Sequence, residues 1–214
     1  MARLPETNRM STTPVQPVIA ANEGAVVRPS REQALEAVRT LIAWAGDNPD
    51  RPGLIDTPKR VVEAYGEWFD GYDADASKEL ARTFEDVTGY DDMVILKEIE
   101  VESHCEHHLA PFLGKAWVAY IPGEKVVGIS KLARVVEIFA RRLQNQETLT
   151  NDIIEAIEEH LQPKGVAVMV DAAHQCMTTR GVHHRHVTTV TTRFTGVFKQ
   201  DNALVERFLK LSRG

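Results

Sequence analysis

Cysteine is scarce in this chain, with two among 214 residues. One pair cannot build the disulfide framework of a small secreted scaffold, so a reducing cytoplasm is the expected home. No apolar run reaches the roughly 18 residues that a membrane helix requires, and no membrane partner is expected. Basic excess is missing too: 25 Lys and Arg stand against 31 Asp and Glu, a formal net charge of −6. That balance argues against a nucleic-acid polymer as partner, because a phosphate backbone calls for cations to neutralise it; a local basic cluster can still hold one small anion. The first residues mix Pro, Thr, Asn and Ala without the compact apolar core of a signal peptide, and residues 1–29 read as a disordered or extended leader.

What is present is an ordinary globular composition, 43% hydrophobic and 26% charged, in a chain long enough to bury a real core. The front third reads as helical, a module over 30–91. Ser30 is placed to cap a first helix with Gln33 at the reciprocal position, and Leu35, Val38, Leu41, Ile42 and Trp44 form its apolar face. Thr57-Pro58 opens a second helix with the stripe Val61, Tyr65, Trp68 and Phe69, and a short helix is expected around 77–83. From residue 92 to 214 the character changes. Strands are expected over 93–102, 115–121, 166–172 and 187–198. Two helices lie between the pairs, one capped by Ser130 and one following a polar break at Gln144-Asn145-Gln146-Glu147, and Asp201 caps a short final helix. The order β-β-α-α-β-β predicts an α+β arrangement, a four-stranded antiparallel sheet with helices on one face.

The residues that carry chemistry gather at strand ends. Ser103-His104-Cys105-Glu106-His107-His108 holds one cysteine, and His174-Gln175-Cys176-Met177 the other. Thiolate and imidazole are ligands zinc favours, and a catalytic zinc takes three protein ligands and leaves a position for water. Cys105, His108 and Cys176 would make such a set, with His107 and His174 left over as acid–base groups. The alternative is a buried or disulfide-linked cysteine pair among surface histidines. Lys131 and Arg134 share the first turn of a helix, where anions are favoured; they point to an anionic ligand or to a solvated face. Arg180 could add a third cation and Arg60 a fourth. Glu147 could accept two N–H bonds from a guanine edge, or be a carboxylate favoured by the dipole of a helix start. His183-His184-Arg185-His186 reads as an exposed loop with no essential metal.

Taken together, these pieces make the chain resemble GTP cyclohydrolase I from about Arg31 to Leu211. The resemblance is carried by Gly53-Leu54-Ile55-Asp56-Thr57-Pro58-Lys59-Arg60, the Cys105 cluster, Gly114-Lys115, Gly128-Ile129-Ser130-Lys131-Leu132-Ala133-Arg134, Gln146-Glu147, and His174-Gln175-Cys176-Met177 with Arg180-Gly181-Val182. It implies a T-fold subunit with an N-terminal helical pair, five subunits joining their sheets into a barrel, and two such rings forming a homodecamer with active sites at subunit interfaces. It also implies one Zn2+ per subunit on Cys105, His108 and Cys176, and His107 and His174 as catalytic groups. Glu147 would hold the guanine, with Gln146 and Ser130 also on the substrate side. Lys131, Arg134, Arg180 and, from a neighbouring subunit, Arg60 would face the triphosphate. The implied reaction turns GTP and water into 7,8-dihydroneopterin triphosphate and formate, the first step of tetrahydrofolate and pterin biosynthesis. A different T-fold enzyme, or a zinc-stabilised binding protein without turnover, would be the rival readings. Thr148 stands where the family usually has arginine.

Overall fold

The computed structural model describes residues 27–81, 83–84 and 90–213, so the expected leader lies, up to residue 26, outside the described residues. The chain divides into two compact units after Pro58. In the first, α1 spans Arg31–Trp44. Ser30 Oγ accepts from the Gln33 N–H at 3.3 Å while the Gln33 side chain accepts from the Ser30 N–H at 2.8 Å, the reciprocal cap expected from the sequence. Arg51 forks onto Asp47 at 2.7 and 2.8 Å and holds the loop that follows. None of α1 is buried, and Trp44 at the end of its apolar stripe is 87% exposed.

The second unit begins inside α2, Thr57–Trp68, which has Pro58 in its first turn. A 3-10 turn, Asp70–Tyr72, precedes α3, Ala76–Leu80, whose cap is Asp75 through the Ser77 N–H at 3.0 Å. The helix expected over 77–83 therefore stops at Leu80. Thr83–Phe84 is instead a short strand, β1. The chain continues as β2 (Val94–Cys105), β3 (Pro111–Ile121), β4 (Val126–Val127), α4 (Ile129–Ala140), β5 (Leu143–Gln144), α5 (Gln146–Leu161) and β6 (Gly165–His174). It ends with α6 (Gln175–Thr178), β7 (Thr189–Phe194), α7 (Val197–Gln200) and α8 (Asn202–Arg213). β1 and β4 pair antiparallel with each other.

The main sheet has five strands in the order β5-β2-β3-β6-β7, not four. The long strands are antiparallel, as expected; β5 adds a parallel edge beside His104 and Cys105. Gln144 builds that edge. Its amide donates to Ser103 Oγ at 3.0 Å and to the Phe139 carbonyl at 2.5 Å, so the stretch predicted as a polar break is drawn into the sheet. Helix α5 starts directly after it, with Asn145 capping through the Thr148 N–H at 2.7 Å. Helix α4 starts earlier than expected: Gly128 is its N-cap, and Ser130 sits inside the first turn without a capping bond.

Side chains alternate across the sheet, as the two-residue period of a strand dictates. Phe112, Ala116, Val118 and Tyr120 of β3, with Val166, Val168 and Val170 of β6, pack under Leu132, Val135 and Val136 of α4 and Leu149, Ile153 and Ile157 of α5. Trp117, Ala119, Ile121, Ala167 and Met169 face the other way, against Phe198 and Phe208. Helices thus cover both faces, where the sequence reading placed them on one. The reason lies in the chain's end: β7 stops at Phe194, Gly196 turns with φ 51°, and α7 and α8 fold back over the second face. Asp201 caps α8 as expected, through the Ala203 N–H at 2.9 Å.

Candidate active site

Strand β3 begins between the two chemical clusters and brings them together. His104 of β2 pairs with Pro111, and Phe112 pairs with His174 of β6, so Cys105 and His174 end neighbouring strands on either side of it. After Cys105 the backbone makes a single helical turn: the N–H groups of His108 and Leu109 both bond the Cys105 carbonyl, at 3.2 and 2.9 Å. The Cys105 N–H returns to the Ala110 carbonyl at 2.8 Å, and Leu109 takes a left-handed φ of 53° to close the loop. A spacing of three within one such turn puts Cys105 and His108 on the same side. Cys176 enters from α6, one turn beyond the end of β6.

The ligand atoms of Cys105, His108 and Cys176 all lie within 4.8 Å of one another. Both cysteines are free thiols, Cys105 buried and Cys176 half-buried, which removes the disulfide alternative. A tetrahedral zinc with bonds of ~2.0–2.3 Å sets its ligands ~3.5–3.8 Å apart, and the donor chemistry, two sulfurs and one imidazole, is what zinc prefers. The His108 Nδ1 is 3.9 Å from Cys105 Sγ, and its Nε2 accepts from Arg180 Nη1 at 3.1 Å. Burial and then the neighbouring Cys105 push the Cys176 thiol up. A cation held by Cys105, His108 and Cys176 would reverse that penalty, since a coordinating thiol is deprotonated outright.

Two further histidines flank this group. His107 Nδ1 is 3.7 Å from Cys105 Sγ and its Nε2 is 3.6 Å from Glu106 Oε1, with two-thirds of the side chain exposed. Glu106 in turn accepts from Asn145 Nδ2 at 3.2 Å. His174 is half-buried under Phe112, whose ring stacks on it at 4.6 Å and 10°. Burial lowers the His174 pKa, and the Glu147 carboxylate pulls the other way. Glu147 itself is exposed in the first turn of α5, while its neighbour Gln146 is buried with its amide on His174 Nε2 at 2.9 Å.

The predicted cations divide. Arg180 stands at the metal set, but Lys131 and Arg134 do not. They meet Glu79 of α3, at 2.5 and 3.3 Å. Lys131 lies nine positions before Ala140, and a helix rises 1.5 Å per residue, so it stands about 13 Å up α4 from the end that adjoins Ser103. Ser130 and Arg60 are exposed, and the 183–186 loop is exposed throughout. Sequence reading missed Glu79, the stacking of Phe112 and the buried engagement of Gln146. Only Glu79 left a trace, as an acid in a short helix with no evident partner.

Two thiols and an imidazole converging on one point, with unligated histidines on either side, define a metal-dependent hydrolase centre in which acid–base groups stand beside a three-ligand set. The family model of GTP cyclohydrolase I matches residues 34–213, and the chain belongs to that zinc-dependent family. It is 69% identical over 186 residues to the GTP cyclohydrolase 1 of Hyphomonas neptunium (strain ATCC 15444), covering 87% of this chain and 90% of that one. It is 66% identical to that of Maricaulis maris (strain MCS10), over 86% of this chain and 90% of the other. For Allorhizobium ampelinum the identity is 56%, over 86% and 92%. Among solved structures, the archaeosine synthase QueF-Like in the apo form shares a distant partial likeness, with a TM-score of 0.40 and 22% identity over 49% of this chain and 93% of that one.

Proposed function

We infer that this chain is the enzyme its family is named for, converting GTP and water to 7,8-dihydroneopterin triphosphate and formate as the entry step of pterin biosynthesis. The observation that carries the reading is the Cys105–His108–Cys176 group within 4.8 Å, flanked by two histidines that the group does not use. A structural zinc would close its fourth position with a protein ligand and need no spare imidazoles. When bound there, zinc supplies Lewis acidity, which makes water a competent nucleophile near neutral pH. His107, largely exposed beside Cys105, is placed to protonate a purine ring nitrogen as the ring opens. His174 moves protons in the later steps, an imidazole being able to act as either acid or base. Glu147 offers two acceptor oxygens to the N–H groups of the guanine edge. Lys131, Arg134, Arg180 and Arg60 take the triphosphate, with Ser130 and Gln146 also on the substrate side, and binding energy remote from the reacting carbon positions that carbon.

The reading includes an assembly. Lys131 and Arg134 bond Glu79 rather than the metal set of their own chain, which supports a site completed by a neighbouring subunit. Leu41 at 63% and Trp44 at 87% exposure leave apolar area of the kind that association covers. The four long antiparallel strands serve as one segment of a T-fold barrel, with residues 30–91 as its helical module and 92–214 as the catalytic part, in a decamer of two pentameric rings. Free thiols suit a cytoplasmic home. Among the described residues no helix is long and apolar enough to cross a membrane.

The test is formate release and pterin fluorescence from GTP, with a chelator and then with zinc restored. Turnover lost to the chelator and recovered with zinc supports reaction and metal together. Tight GTP binding without formate at any zinc level would replace the enzyme by a binding protein.

A further inference from the structure

Gln146 is 1% exposed at the start of α5, and its side-chain amide is committed on both sides. Its Nε2 lies 3.0 Å from the Val170 carbonyl oxygen, 2.8 Å from the Thr189 carbonyl oxygen and 3.1 Å from Thr191 Oγ1. Carbonyl oxygens only accept, so the atom facing them is the amide nitrogen; the flipped amide would set oxygen against two oxygens in a dry site. The carboxamide oxygen is thereby turned to His174, 2.9 Å from Nε2.

The neighbouring hydroxyls point the same way. Thr150 Oγ1 donates to the Gln146 backbone carbonyl at 2.8 Å, which uses its one hydrogen. The 2.6 Å contact between Thr150 and Thr191 must then take its hydrogen from Thr191, leaving a Thr191 lone pair for the Gln146 amide. Each donor in this chain of bonds has a single direction, set by backbone carbonyls that cannot reverse. An oxygen that only accepts requires a hydrogen opposite it, and that hydrogen belongs to His174 Nε2. Phe112, fully buried and stacked on the ring, covers one of its faces.

We propose that Gln146 is a positioning residue that fixes His174 as its Nε2–H tautomer, so that the ring exchanges protons with the substrate through Nδ1. The proposal rests on the reading of His174 as an acid–base group. Held this way the ring keeps its lone pair on Nδ1, because the hydrogen on Nε2 stays bonded to Gln146. The arrangement also ties the ring to β7, since Thr189 and Thr191 hold the far end of the amide.

The experiment uses the zinc-loaded full chain with 15N-labelled histidine rings, His174 being assigned by comparison with His174→Asn. Long-range proton–nitrogen correlation reports which nitrogen carries the hydrogen. The expected result is hydrogen on Nε2 and a lone pair on Nδ1. Gln146→Met should abolish that preference and lower kcat about tenfold, with KM changed less than about twofold. Hydrogen on Nδ1, or averaging between the two forms in the unsubstituted protein, overturns the proposal; this readout stands even where Gln146→Met does not fold. Undiminished kcat in His174→Asn would instead sink the acid–base reading, and the proton route with it, whichever tautomer is found.

Discussion

Glu79 and Lys131 form an ion pair of 2.5 Å between α3 and α4, and the same carboxylate oxygen reaches Arg134 at 3.3 Å. Two of the four proposed triphosphate cations therefore already share one acid. A nucleotide must share them with Glu79 or displace it, so the acid competes with the substrate. Glu79→Gln keeps a hydrogen-bond acceptor of the same shape and removes the charge. The KM for GTP should fall by about two- to fivefold, the scale of a solvent-screened ion pair near the protein surface, while kcat holds. Steady-state kinetics at low and moderate salt will check this. A KM that rises would mean that Glu79 orients Lys131 for the substrate rather than competing with it.

Two carboxylates give stability opposite dependences on pH. The Lys131 hydrogen bond, as the largest cause, holds the Glu79 carboxyl below its ordinary range. Its stabilisation is full above the unfolded-state pKa and is lost as pH falls through the lower folded value. The Tm deficit of Glu79→Gln should accordingly be present at neutral pH and close in acid. Asp152 runs the other way. Burial raises its carboxyl pKa, with Arg142 opposing. The folded state then binds more protons than the unfolded one between the two pKa values, so stability falls as pH rises through that window and the cost is complete above it. Asp152→Asn should raise Tm at neutral pH and make no gain below the unfolded-state carboxylate range. Thermal unfolding of the three proteins at several pH values separates these signs.

Much of this site was legible because its residues are local in sequence. Cys105 and His108 share one turn, and Cys176 announces itself by being the other cysteine. The caps of α1 and α8 were equally readable, since a cap is a contact over two or three residues. What failed was whatever depends on distant partners. Leu143–Gln144 is too short to show any strand period, and it becomes a strand only because Gln144 reaches Ser103 and the end of α4. Helix α3 ends early because Thr83 finds Val127. Gln146 reads as one polar residue in a polar stretch, and nothing nearby in sequence reveals that Val170, Thr189 and Thr191 enclose it. The expected strand over 187–198 was too long for a related reason. Threonine-rich sequence favours extended backbone throughout, but the turn at Gly196 is set by its packing against Lys164.

Gly114 faces Ala172 across the β3–β6 pair, and a Cβ built on it would stand 2.0 Å from the Asp171 carbonyl oxygen and 2.5 Å from Ala172 Cα. Both obstacles are backbone, so neither can turn aside as a side chain would. Gly114→Ala should destabilise the protein by about 2–3 kcal/mol through forced separation of the two strands. Because β6 leads directly into α6 and its ligand Cys176, the variant should also hold zinc less tightly. Denaturant unfolding and metal analysis test the two effects together; a stable variant with full zinc would mean that β3 and β6 part without disturbing their ends.

His107 and His108 stand almost equally close to Cys105, with Nδ1 at 3.7 and 3.9 Å from its sulfur. Distance to that one thiol does not distinguish ligand from acid–base group. Cys176 does: His108 joins both sulfurs within 4.8 Å, while His107 turns its other nitrogen to Glu106. His107→Ala should therefore keep one zinc per subunit and bind GTP within about threefold of the unsubstituted enzyme, while formate release falls by ~10²–10⁴, the span that general acid–base catalysis supplies. His108→Ala should lose both metal and turnover, because three protein ligands are the minimum the site offers. Zinc content measured beside formate release reads the two roles separately. If His107→Ala arrives without metal and His108→Ala with it, the two imidazoles have exchanged roles, and the proton donor for ring opening is His108, already in contact with Arg180 at 3.1 Å.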